Sequence, residues 1–168
     1  MTLNKAKDFL VTNGATLYYE KCGTGPAVLF IAGSPGDAGN FTRAADVLSD
    51  EFTVVTYDGR GNSRSPRPTG WKTTSVVEQA DDAAGLIQAL GLAPAMVFGA
   101  SAGALIALDV MIKYPRLFRA GILQEPSILF RAAGPERGPC APARADRGSN
   151  ANERSPRCRR GAPPLSER

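Results

Sequence analysis

Apolar runs of strand length, each closed by glycine or proline, alternate along this chain with stretches of helical character, and that alternation limits the fold more than any other feature. AVLFIAG (Ala27 to Gly33), FTVVTYD (Phe52 to Asp58) and AMVFGA (Ala95 to Ala100) are apolar almost throughout, as strands covered on both faces are. TLYYEKC (Thr16 to Cys22) precedes them as a strand-like segment, and AGILQEP (Ala120 to Pro126) follows as a last apolar run. Between them the sequence predicts a short helix through Phe41 to Leu48. A second helix is capped by Ser75, with Glu78 three positions on in a capping-box pattern, and runs to about Leu90, where Gly91 stops it. A third spans Ala102 to Tyr114 and ends before Pro115. Strands separated by helices require βαβ crossovers. The expected class is α/β, a mostly parallel central sheet with flanking helices.

Charge divides the chain in two. The net charge is +4, but residues 131–168 hold nine arginines against four acidic residues, so the first 130 residues are close to neutral. In this tail 26 of 38 residues are Arg, Ala, Pro or Gly, and Leu165 is its one branched aliphatic residue. So little apolar surface cannot offset the entropy of ordering a backbone. The expected organisation is a folded unit over 1–130 and a disordered tail over 131–168.

Several function classes are disfavoured. Cys22, Cys140 and Cys158 have no C-x-x-C spacing and no histidine to complete a zinc set, so neither a disulfide framework nor a metal site is expected, and no cofactor motif is present. The run from Ala95 to Ile112 approaches membrane-spanning length, but Gly99, Ser101, Gly103 and Asp109 interrupt it. The first ten residues carry charge and no apolar stretch of signal-peptide length, which makes the cytoplasm the default location. The arginine-rich tail raises an alternative, a non-catalytic binding protein that holds nucleic acid or another anionic partner. The absence of interleaved aromatic residues for base stacking argues against it.

The chemistry-bearing motif is GASAG, Gly99 to Gly103, a G-x-S-x-G frame between an apolar strand and a helix. Small neighbours allow a strained serine backbone to be accommodated at such a turn, the nucleophile elbow. Beside it stand Gly33, Pro35 and Gly36 after the first central strand, YDGRGNSRS (Tyr57 to Ser65) after the next, and ILQEPS after the last. In this order the four motifs resemble the α/β-hydrolase family over roughly residues 10 to 130.

The resemblance implies ester- or amide-type hydrolysis of a small molecule. Ser101 would be the nucleophile, and the backbone N–H groups of Ser34 and Ala102 the oxyanion hole. Asp58 and Arg60 would organise the loop as a structural ion pair. The family's acid and histidine follow later strands, and these 168 residues contain no histidine at all. Glu125 stands where a minority of the family places its acid, but with no imidazole to orient it has no role. The loss of family pattern coincides with a tail composition typical of GC-rich DNA read out of frame. A chain truncated or frameshifted after the sixth strand is therefore expected, inactive or very weak. Its last strand would form an exposed sheet edge open to self-association.

Overall fold

The computed structural model describes residues 5–128. The arginine-rich tail, with the domain boundary at 130 and the disorder expected beyond it, lies outside the described residues. Six strands and three α-helices alternate as β1 (Ala6–Thr12), β2 (Ala15–Cys22), β3 (Ala27–Ile31), α1 (Thr42–Leu48), β4 (Thr53–Tyr57), α2 (Val76–Ala89), β5 (Ala95–Ala100), α3 (Ala102–Lys113) and β6 (Phe118–Gln124), with one 3-10 turn at Ala38–Phe41. They form one mixed sheet in the order β1-β2-β4-β3-β5-β6. β3, β4, β5 and β6 are mutually parallel, while β1 and β2 are antiparallel additions at one end.

Every residue of β3 and β4 is buried, because helices cover both faces of the sheet. Leu29, Ile31, Val55, Val97 and Tyr57 pack beneath α2 and α3, against Ala83, Leu86, Ile87, Ile106 and Val110. On the opposite face Val28, Phe30 and Val54 meet Ala45 of α1. There the cover is incomplete. An apolar groove of about 610 Å³ lies between α1 and β6, lined by Phe30, Phe41, Met96, Phe98 and Ile122 among others. The rings of Phe30, Phe41 and Phe98 cluster there at centroid separations of 4.9 to 5.8 Å. As a result β5 is buried only at alternate residues, and β6 is exposed at all but Phe118. The expectation that β5 is covered on two faces therefore fails at this end of the sheet, whereas β6 lies at the sheet edge as expected.

β1 has no counterpart in the sequence reading. AKDFLVT carries two charged residues and exposes most of its length, so it lacks the apolar signature of its neighbours. It is held by a full antiparallel register with β2, from Ala6↔Lys21 to Thr12↔Ala15. The long Ala95 to Ile112 run divides into a strand and a helix, and no helix among the described residues is long and apolar enough to cross a membrane. Ser75 caps α2 by accepting the Glu78 N–H. The Glu78 carboxylate does not complete a capping box and turns instead to Arg60.

Two buried charge clusters fasten the loops to this frame. The Asp58 carboxylate, with no solvent exposure, accepts the Ala38 N–H at 2.9 Å and three N–H groups of Arg64 at 2.7 to 2.9 Å. Arg60, also buried, is held by both carboxylate oxygens of Asp82, by Glu78 at 2.5 Å and by the Asn13 carbonyl at 3.0 Å. The sequence reading is corrected here: Asp58 and Arg60 both organise structure, but each pairs with another residue. Asp58 joins the loop after β3 to the loop after β4, and Arg60 joins α2 to the β1–β2 turn.

Burial alone would raise the Asp58 pKa, but the Arg64 guanidinium and the two backbone N–H groups outweigh it and hold the carboxyl below its ordinary value. A folded pKa below the unfolded one means that Asp58 stabilises the fold fully above the unfolded value, and that this contribution is lost as pH falls through the folded one. Asp58→Asn is expected to cost about 2–4 kcal/mol at pH 7, and the difference from wild type in urea unfolding should shrink towards pH 3. The outer edge of β6, unpaired among the described residues and with Ile122 66% exposed, gives a second expectation. Analytical ultracentrifugation should show concentration-dependent association, and Ile122→Lys should weaken it roughly tenfold, about 1.4 kcal/mol.

Candidate active site

Ser101 occupies the junction between β5 and α3 with φ 53° and ψ −118°. A non-glycine residue in this region is strained by about 1–3 kcal/mol, and surrounding structure must enforce it. The enforcement comes from close backbone approach. A Cβ on Gly99 would overlap the Gly103 carbonyl, and a Cβ on Gly103 would overlap the carbonyls of Ile31 and Ala32. Both glycines of the frame are therefore required by space. The Ser101 N–H donates to the Gln124 carbonyl at 2.9 Å, and its own carbonyl accepts the Ala104 N–H at 3.0 Å. The turn is thus fixed to β6 on one side and to the first turn of α3 on the other.

The same approach brings the loop after β3 against the serine. A Cβ on Gly33 would stand 3.0 Å from the Ser101 Cβ and 3.6 Å from its Oγ. Next to this contact lies a cavity of about 210 Å³, lined among others by Ser34, Pro35, Gly36, Asn62, Trp71 and Ala102. Ser34 and Ala102 thus face one space. The first N–H groups of α3 have no intrahelical acceptor and carry the positive end of the helix dipole. Among the described residues the Ser34 N–H has no acceptor either. The cavity thus borders the two residues that flank the serine turn, Gly33 on the loop and Ala102 on α3.

One residue of this site was not singled out in the sequence. Ser127 places its Oγ 2.8 Å from the Oγ of Ser101. The pointer to it is the strand register: Ala100 pairs with Gln124, so the three residues after Gln124 pass over the serine turn. Glu125 lies on that segment with φ 48°, exposed, and forms no ion pair among the described residues. Ser127 and not Glu125 is the group beside Ser101. No group of three or more acidic, cysteine or histidine side chains suited to a metal occurs among the described residues.

The loop carrying Ser34 is cross-linked to the loop after β4. Besides the Asp58 bond to Ala38, the Asn62 carboxamide donates to the Gly36 carbonyl at 2.6 Å, and Ser63 Oγ bonds to Asp37 at 2.9 Å.

Comparison with known proteins agrees with this architecture. A model of the alpha/beta hydrolase fold matches residues 26–161, past the change in composition near Phe130. The chain is 39% identical over 136 residues to the uncharacterized hydrolase YraK of Bacillus subtilis, covering 81% of this chain and 49% of the relative. The crystal structure of E-2-(acetamidomethylene)succinate hydrolase superposes with a TM-score of 0.65 at 32% identity, over 71% of this chain and 44% of that one. A thermophilic esterase from Thermogutta terrifontis gives 0.63 at 30% identity, over 69% and 44%. The chain spans about half the length of these relatives. From β3 onward, sheet order, serine turn and sequence similarity lead to one assignment: the chain belongs to the α/β-hydrolase fold family.

Proposed function

We propose that the chain carries the nucleophile and oxyanion hole of a hydrolase that cleaves ester- or amide-type bonds in a small molecule, with Ser101 as nucleophile. The observation that supports this reading is the strained Ser101 backbone, held against Gly33, which itself lines a cavity together with Ser34 and Ala102. In this reading the Ser101 Oγ attacks the carbonyl carbon and the carbonyl oxygen becomes negative. The N–H groups of Ser34 and Ala102 stabilise that charge, assisted by the α3 dipole. Gly99 and Gly103 form the elbow.

Attack also requires a base to take the hydroxyl proton. The 168 residues contain no histidine, the hydroxyl of Ser127 is too weak a base at neutral pH, and Glu125 has no imidazole to orient. Loss of the histidine from a serine triad lowers kcat by about 10⁶-fold, and an oxyanion hole with binding leaves about 10³–10⁴ over water. Turnover by this chain is therefore slow.

The direct test is labelling with a fluorophosphonate. Slow, stoichiometric modification is expected at Ser101 and absent from Ser101→Ala; labelling that persists in the variant would overturn the assignment. Hydrolysis of 4-nitrophenyl acetate should depend on Ser101 and show no inflection near the imidazole pKa of about 6.5. Added imidazole is expected to raise the Ser101-dependent rate, measured after subtracting the rate with Ser101→Ala. The enhancement should follow the neutral imidazole fraction, rising with pH through about 7.

A further inference from the structure

Among the described residues, the side-chain hydrogen bonds that reach the turn carrying Ser34 come from the loop after β4. Gly33 to Gly36 form a four-residue turn closed by the Gly36 N–H on the Gly33 carbonyl at 2.6 Å, with Ser34 and Pro35 at its centre. Closure fixes the shape of the turn but not its placement relative to Ser101. Downstream, the Ala38 N–H on Asp58 fixes the start of the 3-10 turn, two residues beyond Gly36. Between these points, the strongest external bond to the turn itself is that of Asn62, whose Nδ2 donates to the Gly36 carbonyl at 2.6 Å, with a longer approach of 3.4 Å to the Pro35 carbonyl.

Asn62 is well placed to act as an anchor because its own backbone is pinned. Its N–H donates to the Gly59 carbonyl at 3.0 Å and its carbonyl accepts the Ser65 N–H at 2.9 Å. Ser65 is tied in turn to the Asp58 carbonyl and to the Tyr18 N–H. The anchor thus leads through short bonds to β2 and β4, the rigid part of the sheet. Space on the turn side is tight as well: a Cβ on Gly36 would come within 2.8 Å of Asn40 Nδ2 and 2.9 Å of the Gly33 carbonyl. A turn confined in this way transmits a displacement at Gly36 to its neighbours instead of absorbing it.

We propose that Asn62 is a positioning residue, which sets the Ser34 N–H relative to Ser101 by holding the Gly36 carbonyl. The proposal rests on the reading of Ser101 as nucleophile and Ser34 as oxyanion donor. It assigns to Asn62 a role exerted through the loop, without contact to the reacting atoms. Amide donors stabilise an oxyanion only when they are aimed at it beforehand, and displacement by about 1 Å can cost 10²-fold in rate.

Three measurements on the full chain test it, using Asn62→Asp, which keeps the shape but removes the donor, and Asn62→Ala. Fluorophosphonate labelling of Ser101 is expected to slow by roughly 10- to 100-fold in both variants. The preference for 4-nitrophenyl acetate over its thiono analogue should fall, since amide donors favour oxygen over sulfur as the developing anion. Amide hydrogen exchange should quicken in peptides covering residues 33–37 while the central strands keep wild-type protection. Labelling within twofold of wild type, or an unchanged oxygen-to-sulfur preference, would overturn the proposal and leave the serine reading standing. Quickened exchange throughout the sheet would also overturn it, in favour of a general role in stability. Failure of the wild-type chain to label at Ser101 would remove both, and the exchange data would still report whether Asn62 ties the loop.

Discussion

The backbone of α3 begins so close to the end of β3 that Gly103 has no space for a side chain against the carbonyls of Ile31 and Ala32. Most of the site depends on this contact. It places the first turn of α3 directly behind the loop leaving β3, so residues of the helix start and of the loop line one cavity. It also shortens the path from β5 into α3 to a single residue. That residue must reverse direction at once, and Ser101 takes up the positive φ that results. A larger side chain at position 103 would push the helix outward and relax the serine. The strain and the shared cavity therefore have one cause.

Such an arrangement needs the loop after β3 to remain in place, and this chain uses buried charge for the purpose. Asp58 is wholly enclosed, so its charge is tolerable only because Arg64 and two backbone N–H groups satisfy it. Arg64 is steadied by Glu20 at 3.2 Å and by the face of the Tyr18 ring at 3.9 Å. Arg60 performs a similar task for α2, and its guanidinium is held charged chiefly by its bonds to Asp82. Removing Arg64 would leave Asp58 buried without its cation, and removing either Arg60 or Asp82 would leave a buried charge without its closest partner, so these positions resist substitution. Loop geometry is thereby coupled to the stability of the sheet.

The central strands were legible because burial on two faces leaves an unbroken apolar run, as in β3 and β4. Helix limits were legible from Ser75, Gly91 and Pro115. β1 was not, because an exposed outer strand needs only backbone bonds and a partner, and AKDFLVT carries neither apolar continuity nor strict alternation. The serine turn could be read from its glycines, since close backbone approach excludes every other residue. The partners of Asp58 and Arg60 could not, because arginines two and six positions beyond Asp58 are equally available by sequence and only the curl of the loop selects between them. Ser127 and Asn62 were missed for a related reason: each meets its partner across 26 residues of chain, through the parallel register of β5 with β6 or the facing of two loops. No local pattern records such contacts.

The Ser101 conformation is difficult to account for by packing alone. A chain that needed only a tight β5–α3 connection would place glycine at this position, which reaches positive φ without steric cost. Serine there costs about 1–3 kcal/mol, a sizeable share of the 5–15 kcal/mol that separates folded from unfolded domains. Among the described residues its hydroxyl bonds to Ser127 alone, itself exposed, so the hydrogen bond returns little of that cost. The serine places its oxygen, on an exposed residue, beside Gly33 and at the N-terminus of α3. The proposed role of Ser101 as nucleophile would use these features together. The geometry around Ser101 comes from backbone and small residues between β3 and α3, and no histidine takes part in it, since these 168 residues contain none. The fold and the strained serine turn therefore form without drawing on any histidine.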